Sequence, residues 1–160
     1  GLSGCSVFVS GPPNNPRVYH CGVDNQFQGG YKPPPDLDQT ELWRAAIGRE
    51  EAAIGGDRPI AEVNKYDYIC SKGEPPGAGT TARSREIEAR LREVTGDNTA
   101  IAIPSGTVFG MKDERGNWSF FLQENVTLSW DRGKKREFRP VQLTKFYPSP
   151  PEVIPSSWRW

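Results

Sequence analysis

Six consecutive turn formers, Gly11-Pro12-Pro13-Asn14-Asn15-Pro16, separate the β-rich runs Ser6-Val7-Phe8-Val9-Ser10 and Arg17-Val18-Tyr19-His20. The chain has to reverse at such a stretch, so its beginning reads as an antiparallel hairpin. Pairing symmetric about Pro13 and Asn14 sets Ser10 opposite Arg17, Val9 opposite Val18, Val7 opposite His20 and Ser6 opposite Cys21. Side chains alternate along a strand, so Cys5, Val7 and Val9 then share a face with Val18 and His20, while Cys21 points the other way. Cys5 and His20 become diagonal neighbours, with backbones about 7–8 Å apart, a gap that a thiol and an imidazole reaching toward each other largely close.

The rest of the chain alternates helical and strand patterns. After a Gly/Pro connector at residues 29–35, Asp38 and Glu41 form a capping-box pair. Trp43, Ala46, Ile47, Glu50 and Ile54 then fall on one helical face, and Gly55-Gly56 stops it, which predicts a helix over residues 39–54. Residues 59–70 read as a short helix leading into a strand at 66–70, and residues 71–81 as a Gly/Pro loop. A second helix is capped by Ser84, carries the stripe Ile87, Leu91 and Val94, and ends at Gly96. Strands are expected at 100–103, 107–111, 118–122, 126–130 and 137–146, with turns at 113–117 and 131–134, and the proline-rich tail 148–155 is expected along the surface. The expected fold class is α+β, a largely antiparallel sheet core with about two flanking helices.

A chain of 160 residues suits one domain, so residues 1–160 are read as a single unit, and the start at Gly1 as the C-terminal catalytic part of a longer toxin or effector. Twenty basic and twenty acidic residues cancel, so no overall field draws the chain to nucleic acid or an anionic membrane. No apolar run has the length of a membrane span, and no leader resembles a signal peptide. Cys5, Cys21 and Cys70 are an odd set with one histidine and no CxxC pair; free thiols, no metal site and no cofactor are the expectation. Lys134-Lys135-Arg136 reads as a solvated turn, and Gly77-Ala78-Gly79-Thr80-Thr81 lacks the lysine of a phosphate-binding loop. Asn125-Val126-Thr127 fits the glycosylation pattern but falls on a strand, and Trp118, Phe120, Phe121 and Trp130 read as core.

What remains is the pair Cys5 and His20. A thiolate is the nucleophile, and an adjacent imidazole takes the proton that keeps sulfur inert. Ser3 and Gly4 just before Cys5 are small enough to let a substrate approach the backbone, and amides at Gly4 and Cys5 are candidate oxyanion donors. Gly1-Leu2-Ser3-Gly4-Cys5 followed by His20 resembles the active-site signature of the cytotoxic necrotizing factor family of glutamine deamidases. There an L-S-G-C segment precedes a histidine on the next strand. Lethal-factor deamidases carry the same L-S-G-C, and chemoreceptor glutamine deamidases a similar turn.

The resemblance covers roughly the first 22 residues. It implies a β-sandwich-like core flanked by helices, Cys5 as nucleophile and His20 as general base and acid. It also implies a delivered effector that acts in the target-cell cytoplasm on a regulatory protein such as a Rho-class small GTPase, with a cognate immunity or carrier protein as a further partner. In the family a backbone carbonyl from a segment before the motif orients the histidine. Only four residues precede Cys5 here, so two alternatives stand: the orienting group belongs to a stretch upstream of Gly1, or the Asp24, Asn25 or Gln26 side chain replaces it. The competing readings are a transglutaminase or cysteine peptidase using the same pair, and a non-enzymatic interaction module that presents Trp158 and Trp160.

Overall fold

The computed structural model describes Leu2 and residues 5–22, 39–55, 60–68 and 80–155. The hairpin forms in the expected register: β1 (Ser6–Ser10) pairs antiparallel with β2 (Arg17–Cys21), placing Ser6 opposite Cys21, Val7 opposite His20 and Ser10 opposite Arg17. A third strand, β3 (Ala61–Val63), pairs with the other edge of β1, so that Val7 meets Val63 and Val9 meets Ala61. All five residues of β1 are buried because both of its faces are covered. Val7 and Val9 point into the main core, and Phe8, fully buried, points the other way, on the face that carries Tyr19 and Glu62.

Helix α1 (Gln39–Ala53) lies on that second face, held by Arg44 to Glu62 and by Glu51 to Arg17 and Tyr19. Its expected stripe is corrected: Ile47 and Glu51 are buried, while Glu50 and Ile54 face solvent. The helix is turned toward an ion pair that a purely apolar periodicity does not see.

Residues 60–68 also run in the opposite order from the expectation, strand β3 first and then the single turn α2 (Lys65–Tyr68). Asn64 sets that turn: its backbone N–H donates to Asp67 Oδ2 at 2.7 Å, half of a capping box. Residues 69 and 70 of the expected strand lie outside the described residues. Helix α3 (Thr80–Thr95) starts four residues before Ser84, which is therefore inside the helix and not its cap. Ile87 and Leu91 are half-buried, but Val94 is 70% exposed. Gly96, at φ 66°, ends the helix as expected, in the left-handed conformation that glycine adopts without cost.

The second half of the chain is one four-stranded antiparallel sheet in chain order: β4 (Ile101–Lys112), β5 (Trp118–Trp130), β6 (Lys135–Tyr147) and β7 (Glu152–Ile154). The four short strands expected between residues 100 and 130 fuse into two long ones. Pro104 does not break β4 because that strand is the sheet edge, where a missing N–H costs no ladder bond. The polar stretch in β5 is satisfied within the sheet: Gln123 Nε2 donates to Asn125 Oδ1 at 2.7 Å and Asn125 Nδ2 to Thr107 Oγ1 at 3.3 Å. The proline-rich tail lies along the surface as expected, and within it β7 pairs with β6, tied by Lys145 to Glu152 at 2.7 Å.

The two sheets share one core of Leu2, Val7, Val9, Val63, Tyr68, Phe120, Leu122, Phe146 and Tyr147. Helix α3 docks at the far end of the larger sheet, where Glu88 accepts from the Ala102 N–H at 3.0 Å and Arg92 donates to the Ala100 carbonyl at 2.9 Å. The molecule is α+β and mostly β: two antiparallel sheets, two long helices and one short helical turn among the described residues.

Candidate active site

Cys5 stands one residue before β1 and His20 is the fourth residue of β2, opposite Val7. Continuing the ladder by one position sets Cys5 opposite Gly22 and diagonal to His20, on the face the turn chemistry implies. The sulfur itself bends toward β2: a Cβ built on Gly22 would lie 3.3 Å from Cys5 Sγ. A glycine there leaves the space that the thiol occupies. Cys5 is half-buried against the core, whereas His20 is exposed, so the pair spans the rim of the small sheet, sulfur inside and imidazole at the solvent. Among the described residues no hydrogen bond joins the thiol to the ring; they are neighbours on one face.

Cys5 and Cys21 are both free thiols. Cys21 pairs with Ser6 on the opposite face, and burial first, then the nearby Cys5, pushes its thiol up. Cys70, the turn residues Ser3 and Gly4, and the alternative orienting groups Asp24, Asn25 and Gln26 all lie outside the described residues, as do Trp158 and Trp160.

The segment that carries Cys5 is held from two directions. Leu2 exchanges two backbone hydrogen bonds with Gly106 on the edge strand β4, and its side chain is buried in the core. The Cys5 carbonyl accepts from the Tyr68 hydroxyl. Neither contact was read from the sequence, because Tyr68 and Gly106 lie far along the chain and no local pattern marks them as partners of residues 2 and 5.

A second cluster, also unforeseen, lies behind the hairpin. Arg17 Nε and the Tyr19 hydroxyl donate to Glu51 Oε1 at 2.8 and 2.7 Å, and Arg17 Nη2 donates to Oε2. The guanidinium is the main reason that the Glu51 carboxyl is lowered to about 2, and the same carboxylate raises the Tyr19 phenol. Arg17 and Tyr19 alternate with Val18 and His20, so one strand presents an anchoring face to α1 and the His20 face away from it. The available sequence signal was this alternation of Arg17 and Tyr19, two polar donors on the face away from the cysteine, which required a buried acceptor.

Beside Val18, on the His20 side of β2, a cavity of about 340 Å³ opens between the hairpin turn and the larger sheet, lined in part by Asn15, Trp118 and Phe120. It offers an amide and aromatic surface beside the face that carries Val18 and His20. A separate apolar groove of similar size runs between α3 and the larger sheet, with Ile87, Leu91, Val94 and Leu128 along it; none of the residues lining it belongs to the hairpin. Among the described residues there is no cluster of three metal-ligating side chains, and no helix is long and apolar enough to cross a membrane. No family model matches this chain, and no curated protein or solved structure matches it.

Proposed function

We propose that this chain is a cysteine-dependent protein glutamine deamidase. The observation that carries the reading is the register of the first hairpin, which sets Cys5 and His20 as diagonal neighbours with the free thiol turned over Gly22. The L-S-G-C resemblance adds the substrate class.

In the reaction, His20 takes the proton from Cys5 and the sulfur attacks the carboxamide carbon of a target glutamine. Backbone amides around Ser3, Gly4 and Cys5 receive the oxyanion. The tetrahedral adduct collapses, the C–N bond breaks, and ammonia leaves carrying the proton from His20. Water deprotonated by the same imidazole then attacks the thioester, the C–S bond breaks, and the products are glutamate and the restored thiol. The exposure of His20 suits this exchange, since ammonia and water both pass on its side. The target is a folded regulatory protein, with the Rho-class small GTPases as the first set to test.

The test is intact-mass analysis of candidate targets, with ammonia measured alongside. Wild-type protein adds about one dalton per modified glutamine and releases one ammonia, and Cys5→Ala and His20→Ala do neither while keeping the fold. Retained activity in Cys5→Ala overturns the proposal. Incorporation of an added primary amine identifies transglutamination by the same acyl-enzyme, and backbone cleavage identifies a peptidase. The apolar groove beneath α3 favours a second reading, a protein-interaction module, which predicts that Cys5→Ala keeps every biological effect while Val94→Asp abolishes them.

A further inference from the structure

The ladder bonds that hold β1 stop at Ser6: β2 pairs with residues 6–10 and β3 with residues 7–9. Cys5 is thus the first residue beyond the ladder, where a chain ordinarily frays. Its carbonyl is instead taken by the hydroxyl of Tyr68, a residue with no solvent exposure at the end of α2. The Tyr68 ring lies against Gly106, so closely that a Cβ there would sit 2.8 Å from Tyr68 Cγ and 3.2 Å from Leu122 Cδ1. Gly106 is the residue whose backbone holds Leu2. One buried side chain therefore braces the Cys5 segment on both sides, directly at Cys5 and through Gly106 at Leu2.

We infer that Tyr68 is the positioning residue of the reactive thiol, and this rests on the reading of Cys5 as nucleophile. The Tyr68 bond fixes the plane of the peptide that follows Cys5, and with Leu2 held at Gly106 on the other side the rotation about the Cys5 Cα–C bond, which aims the Cα–Cβ bond, is restricted from both ends. That direction carries the sulfur over Gly22, on the face of His20. Tyr68 is fully buried, so it acts on the reaction through the segment it braces and not by touching a target.

The other end of β1 supplies an internal control. There Tyr147, also buried, donates its hydroxyl to the Gly11 carbonyl at 2.8 Å, the same bond at the end of the strand remote from Cys5. Tyr68→Phe and Tyr147→Phe each remove one oxygen and keep the ring packed. If Tyr68 were merely structural, the two variants would behave alike.

The experiment measures the iodoacetamide alkylation rates of Cys5 and Cys21 in the same molecule at neutral pH, peptide by peptide, in wild type and both variants. Wild type alkylates Cys5 faster than Cys21 by about tenfold or more, as expected for a thiol with an imidazole neighbour on its own face against one on the opposite face. Tyr68→Phe reduces that ratio severalfold toward one, and Tyr147→Phe leaves it unchanged. With a deamidation substrate, Tyr68→Phe lowers kcat by about tenfold at unchanged KM, the signature of a misplaced reacting group. A ratio unmoved by Tyr68→Phe, or moved equally by Tyr147→Phe, overturns the inference and leaves the deamidase reading standing. A wild-type ratio near one removes both. An activated Cys5 with no ammonia released from any target fails the deamidase reading alone, since the alkylation ratio still reports on Tyr68.

Discussion

The two sheets are assembled by opposite means. The larger one joins strands that are neighbours in the chain, three of them 12 to 13 residues long, through turns at Asp113 and Asp131 that close locally. The smaller one has strands of five, five and three residues, and its third member arrives after α1 from about forty residues further on. Short strands of this kind do not stand alone in water. Its central strand is ordered because α1 covers one face, the shared core covers the other, and a tyrosine hydroxyl holds each end. The candidate chemistry sits on the sheet that depends on the rest of the molecule, so the Cys5–His20 geometry is only as good as that support.

If this contrast is right, the largest effect comes from the centre of the small sheet. Phe8→Ala removes a ring with no exposure and is expected to cost about 3–5 kcal/mol, a large part of the stability of a domain this size. Urea unfolding should show that loss together with loss of Cys5 selectivity; a cost below about 1 kcal/mol would mean that the sheet is not clamped as described.

The Glu51 anchor comes next. Its carboxyl is lowered from 4.5 to about 2 in the fold, so the native state binds fewer protons than the unfolded chain across that interval. The stabilisation is present above pH 4.5 and lost as pH falls toward 2. Glu51→Gln should lower the melting temperature at neutral pH by less than Phe8→Ala and flatten its decline between these two pH values. It should not abolish the decline, because Glu62 beside Arg44 is lowered too. An acid melting profile identical to wild type would remove Glu51 as the anchor of α1.

The smallest effect is expected on the larger sheet. Phe138 is 58% exposed on β6, and Phe138→Ala should change stability by no more than about 0.5 kcal/mol and leave Cys5 alkylation untouched. A loss several times larger would show that this exposed face is covered in solution.

Much of the candidate site was legible because it is local. The turn formers between Ser10 and Arg17 and the two-residue alternation of strands were enough to place Cys5 and His20 on one face, and the register followed. The helices were legible to within a few residues, and their errors have physical causes. The α1 stripe was misjudged because an acid paired with Arg17 and Tyr19 is buried like an apolar residue, and the α3 start because Ser84 is one of several residues able to cap. Pro104-Ser105-Gly106 and Gln123-Glu124-Asn125 imitate breaks, yet an edge position and mutual side-chain hydrogen bonds carry the strands through them.

By itself, then, the sequence determined the α+β class, the first hairpin with its register, the two long helices and the turns, because turn chemistry and residue periodicity act over a few neighbouring positions. Only the tertiary structure decided that β3 completes the small sheet, that Glu51 locks α1 behind it, and that Tyr68 and Gly106 hold the chain around Cys5. Those contacts join residues tens to about a hundred positions apart. They exist because a buried carbonyl, carboxylate or bare glycine surface has to find its complement wherever the fold brings one.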